Sequence, residues 1–143
     1  MTHARQQIRE AVATALTGLT TTGTRVYQSR MTPKDTQPFL LIETGHEEIE
    51  QGPQLCLQRA LIVTVRGYAK AASNVDDALD TIAAEIEVAA QAAGTFGGKL
   101  PAGLVLQSID VDFDDALERP VGVIEMQFKA GYFTQSGLPG SFV

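Results

Sequence analysis

The chain has 143 residues, of which 44% are hydrophobic and 20% charged, as in a globular domain that can bury a sizeable core. Its formal net charge of -6 argues against tight electrostatic binding to nucleic acid or to an anionic membrane. The single cysteine, Cys56, excludes an internal disulfide and fits a reducing compartment. The sequence also predicts no transmembrane helix.

The first predicted elements are a helix and two strands. Apolar residues at helical spacing predict an amphipathic helix over residues 3–19, and a short strand follows over residues 24–28. Residues 29–38 contain two prolines and are predicted to form a loop. The compact apolar run over residues 39–44 predicts a buried strand, and the polar segment 45–54 is predicted to be a hairpin loop.

A long strand followed by a long helix lies at the centre of the predicted fold. Residues 57–70 are rich in β-branched side chains, and the short connection before them predicts antiparallel pairing with the preceding strand. Asn74 is the predicted N-cap of a helix that has one apolar face and extends to residue 93. Gly94 is the predicted stop signal.

Two alternating strands, over residues 104–114 and 121–133, complete the predicted fold as a hairpin. We therefore predict an α+β fold with a mixed, mainly antiparallel sheet and two main helices packed on one face. The expected organisation is one domain over residues 1–134 and a flexible C-terminal tail over residues 135–143.

The first group of candidate functional residues is a set of carboxylates on the strand over residues 104–114. Asp110, Asp112 and Asp114 alternate with apolar residues, so their side chains share one side of that strand. Clustered carboxylates suit a divalent cation. Residues spaced by two along a strand nevertheless converge poorly on one ion, so a solvated face or a surface for a basic partner is favoured.

A second acidic group, Glu47, Glu48 and Glu50, falls in the predicted loop over residues 45–54. No neighbouring motif supplies the partner that a general acid or base would need, so a solvated or partner-facing position is favoured. Arg66 interrupts an apolar strand, and it either lies on the solvated face or pairs with an acidic residue across a subunit interface. The sequence therefore predicts no catalytic residue, no cofactor and no metal site.

The order of the predicted elements resembles that of a known family. The segments that carry the resemblance are the N-terminal helix REAVATALTGL, the segment RVYQSRMTPKDTQPFLLIETG, the strand LIVTVRGYAK, the helix opened by Asn74, Asp76 and Asp77, and the closing hairpin that ends in GVIEMQFKAGYF. In this pattern the chain resembles the tail terminator family of long-tailed bacteriophages, of the lambda-like minor tail protein U type. The resemblance covers nearly the whole chain and lies in pattern and length.

The resemblance implies a structural protein and not an enzyme. It implies a homo-oligomer, a hexameric ring that caps the tail tube, stops its polymerisation and provides the surface for head joining. The implied partners are the tail tube protein and a head-tail connector protein, while DNA passes through without specific binding and no membrane is involved. The implied location is the head-proximal end of the virion tail, after assembly in the host cytoplasm.

An acidic channel suits such a ring, because DNA should pass without binding to its wall. The candidate lumen or partner contacts are therefore Glu47, Glu48, Glu50, Arg66, Asp110, Asp112 and Asp114. Three alternatives stay open at this point. They are another phage neck, tail-completion or head-closure protein, a monomeric adaptor that binds a partner through a sheet edge, and an enzyme with a carboxylate-bound metal.

Overall fold

The computed structural model describes residues 1–28, 37–70, 73–114 and 121–143. Its elements in chain order are α1 (Ala4–Ala15), β1 (Val26–Tyr27), β2 (Phe39–Gln51), β3 (Cys56–Lys70), α2 (Val75–Ala92), β4 (Leu104–Asp114), β5 (Val121–Gln135) and β6 (Leu138–Phe142). Most of the predicted loop over residues 29–38 and the predicted turn before residue 121 lie outside the described residues.

The strands form one six-stranded sheet in the order β1-β2-β3-β5-β4, and β6 pairs with β5 off this path. β1 pairs with β2 in parallel, whereas every other pairing in the described sheet is antiparallel. The α+β class and the mixed, mainly antiparallel sheet are thus confirmed. Within the described residues, β1 and β4 are the strands at the two opposite edges.

α2 packs on β3 and β5 through the apolar face that the sequence predicted. Leu79, Ile82 and Ile86 of this face are fully buried. The helix approaches the sheet closely over Gly67, where an added Cβ would lie 2.8 Å from Cγ2 of Ile82. Because side chains alternate along a strand, Gly67 defines one side of the sheet, which we call the α2 side; the other is the opposite side.

α1 contributes Ile8 and Val12 to the same hydrophobic core, and its C-cap residue Leu16 joins them there. Its Arg9 donates to Oγ1 of Thr44 on β2, across 3.4 Å. The placement of both helices on one face of the sheet stays a prediction.

The structure corrects the predicted loop over residues 45–54, because β2 continues through most of it. The register with β3 shifts between Thr44 and Glu47 and then resumes to the end of β2. The chain reverses only at Gln54 and Leu55, which both have positive φ. Most polar residues of this stretch, Glu48 and Glu50 among them, therefore lie on an exposed strand extension and not on a loop.

The C-terminal segment forms strand β6, where the sequence predicted a flexible tail. The ring of Phe142 lies 5.5 Å from that of Tyr132, measured between centroids, and Gln7 of α1 donates to the carbonyl of Gly140 across 3.0 Å. The glycines and proline of this segment suggested disorder. Its contact with α1, which is distant in sequence, could not be deduced from that local composition. The single domain predicted over residues 1–134 stays a prediction.

Candidate interaction surface

β4 is an edge strand whose side chains are exposed on both sides of the sheet. Its apolar residues Ile109, Val111 and Phe113 pair with Met126, Ile124 and Gly122 of β5, so they lie on the α2 side, as those partners do. They are nevertheless 43%, 47% and 43% exposed, because α2 packs over β3 and β5. The intervening Asp110 and Asp112 are also exposed and lie on the opposite side.

The opposite side carries a row of charges that crosses four strands. Arg66 of β3 stands directly opposite Glu125 of β5, with Nε 3.4 Å from Oε2, and it also forms an ion pair with Glu43 of β2. Asp110 of β4 pairs with Glu125 on the next strand. Both ion pairs that the structure describes for Arg66 lie within its own chain. The two alternatives for this residue, a solvated position or a pair across a subunit interface, stay predictions.

A shallow depression of about 560 Å³ lies at the β4 end of this row. Its wall consists of Arg66, Tyr68, Asp110, Val111, Asp112, Phe113, Val123 and Glu125. Three carboxylates face one guanidinium here, so the depression is negative and favours a cationic group. The structure therefore brings together three of the predicted site residues, namely Arg66, Asp110 and Asp112.

Glu48 and Glu50 also lie on the opposite side, further along the sheet. They pair with Ala60 and Gln58 of β3. These two residues are separated from Arg66 by an even number of positions along β3, so all three side chains lie on the same side of the sheet. Both glutamates are exposed, and Glu48 lies 3.7 Å from Nε2 of His46. The backbone of Asp114 pairs with Val121 at the end of β4, and its side chain lies outside the described part of the structure.

Glu47 differs from its neighbours, because its side chain is buried. Its Oε2 accepts from Nη1 of Arg59 across 3.1 Å, and its Oε1 accepts from the hydroxyl of Tyr132. Nε of Arg59 donates in turn to Oγ1 of Thr134 across 2.9 Å, and Nη1 of Arg5 lies 3.9 Å from the carboxylate. Burial raises the pKa of Tyr132, and the hydrogen bond to Glu47 raises it further.

The register shift between Thr44 and Glu47 explains why the sequence did not predict this position. The shift places Glu47 opposite Leu61, a buried residue of the α2 side, while Glu48 turns to the opposite side. The expected solvated or partner-facing position therefore does not hold for Glu47. Arg59 and Tyr132 were not candidates either, and the signal that could have found Arg59 is a lone cation at an inward position of an alternating strand.

Two further findings concern the described residues. No group of three or more His, Cys, Asp or Glu side chains that could hold a metal ion occurs among them. Neither of the two described helices is long and apolar enough to cross a membrane.

Comparison with known proteins gives little beyond this geometry. No protein-family model matches the chain, and no curated protein matches it. Among solved structures, the chain is similar to one from the virion of a native gene transfer agent (GTA) particle, at 13% identity and a TM-score of 0.39. The match covers 90% of this chain and 92% of that chain.

Proposed function

We propose that this chain is a structural protein of a phage-like virion, a tail terminator that assembles into a ring on the end of the tail tube. The ring would stop polymerisation of the tube and provide the surface to which the head joins. Its partners would be further copies of the chain, the tail tube protein and a head-tail connector protein. The basis is the resemblance in element order together with the geometry of β4.

The exposure of β4 is the observation that carries the proposal. An edge strand with free hydrogen-bonding groups and exposed apolar side chains promotes association with another chain, and monomeric proteins usually protect such strands. β4 presents Ile109, Val111 and Phe113, each more than two-fifths exposed. Such a strand is typical of a subunit whose edge is covered by another chain in an assembly.

The opposite side of the sheet suits the wall of a channel. Its exposed carboxylates include Glu48, Glu50, Asp110 and Asp112, so it repels the phosphates of DNA instead of retaining them. We propose these four residues, together with Arg66 and Asp114, as lumen or partner contacts. Glu47 is not proposed as such a contact. Its carboxylate is buried against Arg59, so its role is to stabilise the fold.

The test is whether the protein caps tail tubes. Tubes assembled from the tail-tube protein of the same genome are incubated with this chain, and fresh tube subunits are then added. We expect electron microscopy to show an extra ring at one end and no further growth there, while untreated tubes lengthen. Continued growth at both ends, with no added density, would exclude the terminator role.

A further inference from the structure

The two edge strands of the described sheet, β1 and β4, lie at the same position along the strand direction. Val26 of β1 pairs with Leu40, which pairs in turn with Gly67, Ile124 and finally Val111 of β4. One row of paired residues therefore crosses the whole sheet, with Val26 at one end and Val111 at the other.

The directions of the edge strands are also complementary. β1 runs parallel to β2, and each following step, from β2 to β3, β5 and β4, reverses the direction. β1 and β4 therefore run antiparallel to each other within one subunit. When a second copy lies beside the first in the same orientation, β4 of one meets β1 of the other as an antiparallel pair, and the sheet continues with the same side outward.

The charges at the two edges are of opposite sign. Asp110 and Asp112 lie on β4, and no cationic partner of either is found within the described residues. Arg25 immediately precedes β1, and its Nε and Nη2 donate to the carbonyls of Pro38 and Thr21, at 2.7 and 3.2 Å. These acceptors are neutral carbonyls, so they do not compensate the positive charge of the guanidinium at the edge next to β1.

The apolar residues at the two edges match as well. On the α2 side, β4 presents Ile109, Val111 and Phe113, and Val26 of β1 is half-buried on the same side, in line with Leu40. Antiparallel pairing would bring Val111 beside Val26 and would remove both from water.

We propose that the ring forms through β4 of each subunit, which pairs antiparallel with β1 of the next copy, with Val111 beside Val26. The inference rests on the proposed ring and identifies its interface. The contact joins two different surfaces, so it repeats head to tail. Such a repeat closes into a ring when the rotation between neighbouring subunits closes and there is no net displacement along the ring axis. Pairing of Val26 with Val111 adds little displacement along the strands, which is compatible with a ring whose axis lies along them.

Disulfide cross-linking tests this register directly. In a Cys56→Ser background, the variant with Val26→Cys and Val111→Cys is assembled and then oxidised. Directly opposed residues of an antiparallel pair lie about 4.5–5.5 Å apart between Cα atoms, which is within disulfide range. We expect a ladder of covalent multimers that ends at the size of the ring.

The matched control replaces Val111→Cys with Val105→Cys, which is another exposed valine of β4. It pairs with Lys129, five positions along β5 from Ile124, the partner of Val111, which is about 17 Å along the strand, so we expect no ladder. A ring detected by light scattering whose Val26→Cys, Val111→Cys variant gives no ladder would overturn the inference while leaving the proposed function intact. Dimers formed by Val111→Cys alone would also overturn it, since they indicate β4 paired with itself.

Charge reversal gives a second measurement that does not depend on cysteine chemistry. Asp110→Lys with Asp112→Lys changes only exposed side chains, so the monomer should keep its circular dichroism spectrum and melting temperature. We expect the dissociation constant of self-association to rise at least about tenfold, because the two new lysines would lie beside Arg25 of the next copy, which is also positively charged. Unchanged association would contradict the inference. A wild-type chain that forms no ring, either alone or on tube ends, would instead refute the proposed function.

Discussion

Glu47 and Arg59 form an ion pair between two side chains that are only 5% and 7% exposed, with Oε2 3.1 Å from Nη1. The pair joins β2 to β3 beside the register shift, and the hydroxyl of Tyr132 attaches β5 to the same carboxylate. Three strands therefore converge on one buried charge. The exposed acidic residues that follow on β2 depend on this attachment for their position.

Loss of the Glu47 charge should destabilise the protein. Removal of one member of a buried ion pair leaves the other charge without compensation, so we expect Glu47→Gln to lower the free energy of unfolding by roughly 3 kcal/mol. Urea denaturation measures the change. Glu48→Gln is the matched control, since its side chain is 79% exposed, and it should change stability by less than about 0.5 kcal/mol. Equal stability of the two variants would show that the pair contributes nothing.

The buried hydroxyl of Tyr132 should make stability depend on alkaline pH. Its pKa is raised in the folded protein, first by burial and then by the hydrogen bond to Glu47, whereas an unfolded chain ionises tyrosine near a pKa of about 10. Above that pH the unfolded state loses a proton that the folded state keeps. The free energy of unfolding therefore falls as pH rises, by up to about 1.4 kcal/mol per pH unit from this group.

Tyr132→Phe removes this titration and should flatten the dependence. Urea denaturation of both proteins between about pH 9 and pH 11 compares their slopes. Because Phe lacks the hydroxyl, the variant should be less stable near neutral pH and should lose less stability on alkalinisation. Parallel curves for the two proteins would mean that Tyr132 ionises alike in the folded and unfolded states.

The contact between α2 and the sheet depends on the absence of a side chain at Gly67. A Cβ there would lie 2.8 Å from Cγ2 of Ile82 and 3.1 Å from Cγ2 of Ile124. Gly67→Ala should therefore push α2 outward and cost about 1–3 kcal/mol, as overpacking of a core does. Gly131→Ala is the control, because nothing lies within 4 Å of its added Cβ. A lower melting temperature for Gly131→Ala than for Gly67→Ala would contradict this packing.

The sequence predicted those elements whose pattern is local. Alternation gave β4 its observed bounds, and helical spacing gave the buried face of α2 with Leu79, Ile82 and Ile86. Gly94, with φ of 58°, follows α2 as the predicted stop signal. In each case neighbouring residues alone determine the outcome, through strand alternation, the spacing of a helix face or the freedom of glycine in turns.

The remaining features depend on contacts between distant segments. Glu48 and Glu50 suggested a loop because they are polar. Their backbone pairing with β3 makes this stretch a strand, and the composition of the stretch does not reveal that pairing. Alternation correctly placed Ile109 and Val111 on one side of β4, yet it could not show that α2 leaves that edge uncovered. A register shift also reverses which residues face inward, so the burial of Glu47 could not be deduced from acidic composition.

Charge reversal on the opposite side of the sheet should create a DNA-binding channel, if that side lines the lumen of the ring. The wild-type ring should not bind duplex DNA, because its exposed carboxylates repel phosphates. Glu48→Lys with Glu50→Lys should bind linear duplex with an affinity that falls steeply with salt concentration. Fluorescence anisotropy measures the binding, and linear DNA should bind better than a circular duplex, which has no end to thread through a closed ring.

The control for this prediction is Asp80→Lys with Glu87→Lys, which makes the same change in net charge at two exposed positions of α2. Because α2 lies on the other side of the sheet, these lysines would project away from the lumen and should bind DNA weakly, with no preference for linear over circular duplex. Equal binding by the two variants would indicate an effect of net charge alone. In that case the opposite side of the sheet would not be the wall of the channel.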